Sequence, residues 1–182
     1  MPSVLRSANG SSMCDPCLTP PLRLSGIVEE SIVDGPGLRF VLFTQGCPHH
    51  CKGCHNPQTH SFSGGFLLRA EDVLTRMQED PLLAGVTFSG GEPFEQAQAL
   101  CAVAQGVRRM GLDVVTFTGY TYEALLRRAD SWTDRLLALT DLLIDGPYVE
   151  SLRDPELRFR GSSNQRELDR AARERLRLRM AS

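Results

Sequence analysis

Leu38-Arg39-Phe40-Val41-Leu42-Phe43-Thr44-Gln45 runs straight into Gly46-Cys47-Pro48-His49-His50-Cys51-Lys52-Gly53-Cys54-His55. The first half is apolar and β-rich and predicts a strand. It shows no polar alternation, as expected of a strand buried on both faces of a parallel sheet. The second half is polar, rich in cysteine, histidine, glycine and proline, and predicts a loop that continues to Gly65.

Outward from this junction the pattern alternates. Ala70, Val73, Leu74 and Met77 recur at helical spacing, then Val86 to Ser89 forms a short strand signal ending in Gly90-Gly91. Leu100, Val103, Ala104, Val107 and Met110 mark a second helix, Asp113 to Thr118 a third strand, Tyr122 to Arg128 a helix, Leu136 to Leu139 a further one and Leu142 to Asp145 a fourth strand. Strand–helix alternation with continuous apolar strands predicts an α/β fold with a parallel sheet covered by helices. Four or five strand signals are too few for a closed eight-stranded barrel, so an open, partial β/α barrel is expected. Functional loops then lie at the carboxyl ends of the strands, where the cysteine loop, Gly90-Gly91 and Gly119 all fall.

The rest of the composition is that of an ordinary globular protein. The chain has 182 residues, 41% apolar and 23% charged, with a net charge of −2. That balance gives no reason to expect nucleic acid as a partner. No apolar run reaches the roughly 20 residues of a membrane span, and the N-terminus lacks the apolar stretch of a secretory signal. A cytoplasmic location is expected. Residues 1–22, rich in Ser, Pro and Gly, read as a flexible tail, within which Met13 offers a second start; 23–166 read as the domain, and 167–182 as a charged C-terminal tail.

Six cysteines stand at 14, 17, 47, 51, 54 and 101. In a reducing compartment such clusters bind metal or do redox work more often than they form disulfides. Cys47, Cys51 and Cys54 have the spacing C-x3-C-x2-C. Three thiolates so close together reach one small cluster if the backbone curls around it, and Gly46, Pro48 and Gly53 suit a curl. A cubane needs four ligands, so three cysteines leave one iron open to a bound ligand. Zinc is the rival. His49, His50, His55 and His60 lie in or beside the loop, and Cys14-x2-Cys17 with Cys51-x2-Cys54 can be drawn as two zinc knuckles. The 33 residues between those pairs exceed the usual stretch of about 15–20 and contain the predicted strand, and Cys47 is left unexplained.

Several motifs together carry a resemblance. Asp34-Gly35-Pro36-Gly37-Leu38-Arg39, Thr44-Gln45-Gly46-Cys47, Cys54-His55-Asn56-Pro57 and Ser89-Gly90-Gly91-Glu92-Pro93 resemble the glycyl-radical-enzyme activases of the radical S-adenosylmethionine superfamily. Thr118-Gly119-Tyr120, Leu143-Ile144-Asp145-Gly146 and Arg160-Gly161-Ser162-Ser163-Asn164-Gln165 narrow it to the branch that activates anaerobic ribonucleoside-triphosphate reductase; the match spans about residues 24–166. The resemblance implies an oxidoreductase with a 4Fe–4S cluster on Cys47, Cys51 and Cys54. It also implies S-adenosylmethionine bound by Gly53, Cys54, His55, Gly90, Gly91 and Glu92, with no side chain in a catalytic role. The reduced cluster would cleave S-adenosylmethionine, and the radical formed would take hydrogen from a glycine of a partner. The implied partners are that glycyl radical enzyme and a flavodoxin- or ferredoxin-type electron donor, with neither nucleic acid nor membrane. The alternatives are pyruvate formate-lyase or another glycyl radical enzyme as target, or a non-catalytic zinc adaptor. Where many superfamily members carry an aromatic residue before the last cysteine, this chain has Gly53.

Other residues have plainer readings beside functional ones. Glu92 orients its loop or is a solvated charge. Asp145 faces the site or caps a helix. Cys101, on the apolar face of a helix, reads as core. The segment 160–165 carries no metal ligand and is expected to serve the partner or the shape of the site.

Overall fold

The computed structural model describes residues 19–180. Most of the expected tail over 1–22, with Cys14 and Cys17, lies outside them. The chain runs β1 (Leu22–Ser31), β2 (Arg39–Thr44), β3 (Phe66–Leu68), α1 (Ala70–Gln78), β4 (Gly85–Gly90), α2 (Ala97–Arg109), β5 (Asp113–Phe117), α3 (Tyr122–Arg127), α4 (Ser131–Leu139), β6 (Leu142–Asp145), β7 (Arg166–Asp169) and α5 (Arg170–Met180). The strands form one sheet in the order β3-β1-β2-β4-β5-β6-β7. β2, β4, β5 and β6 run parallel, joined by helical crossovers. β1 and β3 extend the sheet antiparallel on one side, β7 on the other. With β3 and β7 as its edges the sheet stays open, as the few strand signals led one to expect.

The two faces of the parallel centre are filled differently. Phe40, Leu42, Val86, Phe88, Val114 and Leu143 join Val73, Leu100, Val103, Val107, Leu125 and Leu136 of the helices in one core. Truncating Leu100, fully buried there, to Ala would cost about 3 kcal/mol in transfer and cavity terms. On the opposite face the β1–β2 loop lies against the sheet: the Thr87 hydroxyl donates to the Asp34 carbonyl at 2.8 Å and an Arg39 amine to the Pro36 carbonyl at 3.2 Å. Arg39 is fully buried. Its guanidinium also donates to Thr87 Oγ1 at 3.2 Å and the Val86 carbonyl at 2.6 Å, and is ion-paired with Asp113. A buried arginine is tolerated only when its donors are met this way. It seals the amino-terminal edge of the sheet and leaves the carboxyl edge for the site.

The segment over 167–182, expected as a charged tail, is instead part of the fold up to Met180. β7 pairs with β6, though only Leu168 of it is buried. In α5 Arg173 is the buried residue, and it donates to the carbonyls of Leu137 at 2.6 Å and Thr140 at 2.5 Å, capping the end of α4. A cation on the exposed carbonyls at a helix C-terminus is favourable. Arginine composition suggests solvent, but here one arginine does the docking.

Candidate active site

Each parallel strand hands the chain to a loop at the same edge. β2 leads to the cysteine loop, β4 to Gly90-Gly91-Glu92, β5 to Thr118-Gly119 and β6 to Gly146. Between them opens a cleft of about 500 Å³, whose walls include Cys47, Cys51, Cys54, His55, Gly90 and Gly91. Six of the residues expected at the site therefore meet in one place. Gly53 and Glu92 do not line it.

The cysteine loop is curled by its backbone. Gly46 N–H donates to the Thr59 carbonyl at 2.7 Å and Cys47 N–H to that of His60 at 3.1 Å; Cys54 N–H closes a turn onto the Cys51 carbonyl at 3.2 Å. The Asn56 N–H points at the Cys54 sulfur, 3.4 Å away. All three thiols are free of disulfides. Burial pushes the Cys47 thiol above its ordinary pKa, and the backbone N–H of His49 opposes this. A 4Fe–4S group fits this donor set: three unpaired thiols face one cavity that also has room for a ligand on the fourth iron. Among the described residues no three His, Cys, Asp or Glu side chains converge on a point for a single ion. A cubane asks for less convergence, because its own irons separate its thiolates.

Glu92 is the hub behind the cleft. Its side chain is fully buried. One oxygen accepts from Phe94 N–H at 3.0 Å, the other from Gly119 N–H at 2.9 Å, and the Thr118 hydroxyl reaches both at 2.9 and 3.0 Å. His49 Nε2 stands 2.8 Å from the second oxygen. Glu92 thus orients its loop, one of the two roles open for it from the sequence. The adjoining glycines line the cleft and are also required by the neighbouring backbone. Gly90 has φ +91°, and a Cβ there would lie 2.6 Å from Phe43 Cα and 2.7 Å from Thr44 N; one on Gly91 would strike the Gly46 carbonyl.

Asp145 is also fully buried but turns away from the cleft. It accepts from Tyr122 N–H at 2.7 Å at the start of α3 and is ion-paired with Arg166, which also binds Glu123 at 2.8 Å. The helix-terminus reading is the one the structure supports. The segment Arg160–Gln165 forms the far wall. Gln165 Oε1 accepts from Gly161 N–H at 2.9 Å and Ser162 N–H at 3.2 Å, and its amide donates to the Gly146 carbonyl at 3.1 Å. Asn164 donates to the Pro147 carbonyl at 2.7 Å. These groups serve their own chain, which favours shaping the site over contacting a partner. Residues not foreseen complete the cleft: Val33, Asp34, Phe43, Tyr148 and Phe159. Tyr148 stacks at a tilt on His55, centroids 4.8 Å apart. Phe159 carries φ +58°, a conformation a bulky side chain seldom adopts. Neither has a periodic or metal-type signal that would reveal it from the sequence.

An open sheet with a parallel centre, and three cysteines and a glycine turn at the carboxyl edge of that centre, is the arrangement expected of a radical S-adenosylmethionine enzyme. Residues 33–168 match the family described as "4Fe-4S single cluster domain". The anaerobic ribonucleoside-triphosphate reductase-activating protein of Vibrio cholerae is 38% identical over 143 residues, spanning 74% of this chain and 89% of its own. That of Escherichia coli K12 is 34% identical over 142 residues, spanning 74% and 90%. The pyruvate formate-lyase-activating enzyme of Clostridium pasteurianum is 38% identical over 117 residues, 59% of this chain and 49% of its own. Among solved structures, QueE from Escherichia coli aligns over 57% of this chain and 54% of its own at a TM-score of 0.43 and 18% identity. The chain belongs to the family of anaerobic ribonucleoside-triphosphate reductase-activating proteins, radical S-adenosylmethionine activases with a 4Fe–4S cluster.

Proposed function

We propose that this protein reductively cleaves S-adenosylmethionine and generates a glycyl radical on anaerobic ribonucleoside-triphosphate reductase. The observation that carries this is the meeting of Cys47, Cys51 and Cys54 with the Gly90-Gly91 turn in one cleft at the strand ends. The three cysteines would hold the cluster, and the rest of the cleft would take S-adenosylmethionine. When bound, the reduced cluster would supply the one electron that cleaves S-adenosylmethionine to methionine and a 5′-deoxyadenosyl radical able to take a glycine Cα hydrogen.

The chain's own residues bind, orient and exclude. The buried Glu92 holds the β4 and β5 loops in register, so the backbone that faces the ligand is preorganised. Gln165 and Asn164 fix the opposite wall against Gly146 and Pro147. The cleft's open mouth suits entry of an extended glycine segment, whose Cα no side chain obstructs. An external one-electron donor of the flavodoxin or ferredoxin type belongs to the proposal, as does a cytoplasmic setting, where free thiols stay reduced. Among the described residues no helix is long and apolar enough to cross a membrane.

The test mixes anaerobically reconstituted protein, S-adenosylmethionine, a low-potential reductant and the reductase. The expected result is methionine and 5′-deoxyadenosine, with a glycyl radical signal by electron paramagnetic resonance on the reductase. Pyruvate formate-lyase in its place is expected to stay silent. Cleavage without a radical on the reductase would overturn the choice of partner; no cleavage at all would overturn the activity.

A further inference from the structure

His49 sits between Cys47 and Cys51. Its ring is fixed on several sides. The tip, Nε2, meets Glu92 at 2.8 Å, with the carboxylate fully buried and the histidine side chain 17% exposed. Along one side lies Gly119, where a Cβ would overlap the ring. The edge of Tyr120 meets it at a centroid distance of 4.4 Å and an angle of 71°. Tyr120 is in turn tied through its hydroxyl to Glu95 at 3.0 Å, and Arg128 lies over its ring at 5.1 Å.

The other donors to Glu92, from Phe94, Thr118 and Gly119, belong to the β4 and β5 loops. They hold the carboxylate whether or not the cysteine loop is in place. An ionised Glu92 can only accept, and His49 Nε2 is then the donor of the 2.8 Å contact. Glu92 is therefore a socket built on the sheet, and His49 is the cysteine-loop side chain that enters it.

We propose that His49 is a positioning residue: it fastens the cysteine loop to the β4 and β5 loops through Glu92, so that the thiols of Cys47 and Cys51 are in place before a cluster is assembled. In this role the ring acts through the cysteine loop, although His49 also lines the cleft. It replaces loop entropy that cluster binding would otherwise have to overcome, and it holds the segment that aims the His49 N–H at Cys47. The inference rests on Cys47, Cys51 and Cys54 being the ligands.

Two variants and two readouts test it. His49→Ala removes the donor; His49→Gln keeps an amide N–H able to reach the same carboxylate. In the reconstituted protein, loss of iron to an anaerobic chelator is timed. In the iron-free full chain, amide hydrogen exchange over 47–55 is compared with that of α2. Loss of one hydrogen bond to a charged group predicts about tenfold faster iron release and similarly faster exchange over 47–55 in His49→Ala. Exchange in α2 should be unchanged, and His49→Gln should recover most of both effects. Unchanged iron release and exchange in His49→Ala would overturn the proposal. So would His49→Gln behaving like His49→Ala, or α2 loosening in step, which would mean general destabilisation. A Cys47→Ala protein that keeps its iron would instead overturn the ligand assignment, and the exchange measurement on iron-free protein would still judge His49 by itself.

Discussion

Glu92 and Asp145 stand at the carboxyl ends of two strands of one sheet, both with side chains fully buried. Their partners differ. Asp145 faces a cation, Arg166, and the first N–H of α3, so it ties β6 to β7 and to a helix. Glu92 faces two backbone N–H groups, a hydroxyl and a histidine, all from loops around the cleft. One carboxylate fastens the frame; the other fastens the site to the frame. Burial alone does not tell a functional acid from a structural one. What does is whether its donors come from secondary-structure ends or from the loops that carry chemistry.

Substitutions should separate the two. The largest effect is expected for Glu92→Ala, which strands several buried donors and should cost about 4 kcal/mol of unfolding free energy and most of the iron per folded chain. Asp145→Ala should cost about 3 kcal/mol by leaving Arg166 only Glu123 as a partner, yet the protein that folds should hold a full complement of iron. If both variants lose iron alike, the division fails. Gly90→Val sharpens it further. The added side chain meets β2 backbone at a left-handed residue, so a loss of about 2 kcal/mol is expected, with weakened iron retention alongside weakened ligand binding. Full iron with normal stability would show that the sheet yields.

The smallest effect belongs to the frame. The hydrogen bond from Arg166 holds the Glu123 carboxyl below its ordinary pKa, against the opposing effect of burial. A carboxyl lowered in the folded state stabilises fully above its unfolded pKa, and that contribution fades as pH falls through the folded one. Glu123→Gln should therefore cost about 1 kcal/mol at neutral pH and nothing once the pH is below the folded value. Denaturant midpoints of both proteins from pH 7 down to pH 3 would check it; a gap that widens in acid would contradict it.

Much of this was legible in the sequence, and the rest was hidden for identifiable reasons. β2, β4, β5 and β6 read clearly because both faces are largely buried and their residues are mostly apolar or β-branched. β1 escaped notice: Gly26, Glu29 and Glu30 interrupt it, and much of it is only partly buried. β7, with the sequence RELD, buries Leu168 alone, and α5 reads as solvated because its docking residue is an arginine. Cys101 was legible as core and is fully buried. The cysteine triplet is local in sequence and announces itself. The His49–Glu92 contact joins residues 43 apart and has no local signature. Gly90-Gly91 was visible as a turn, but not the close neighbours that also exclude a Cβ there, Phe43 of β2 beside Gly90 and the Gly46 carbonyl beside Gly91.

The central claim is that Cys47, Cys51 and Cys54 hold a 4Fe–4S cluster facing the cleft. Its most direct measurement is the iron, sulfide and zinc content of anaerobically reconstituted protein and of single Cys→Ala variants. The account predicts about four irons and four sulfides per wild-type chain, near-complete loss on replacing Cys47, Cys51 or Cys54, and no loss on replacing Cys14, Cys17 or Cys101. One zinc per chain without iron, or iron that survives Cys47→Ala and disappears with Cys14→Ala or Cys17→Ala, would contradict it.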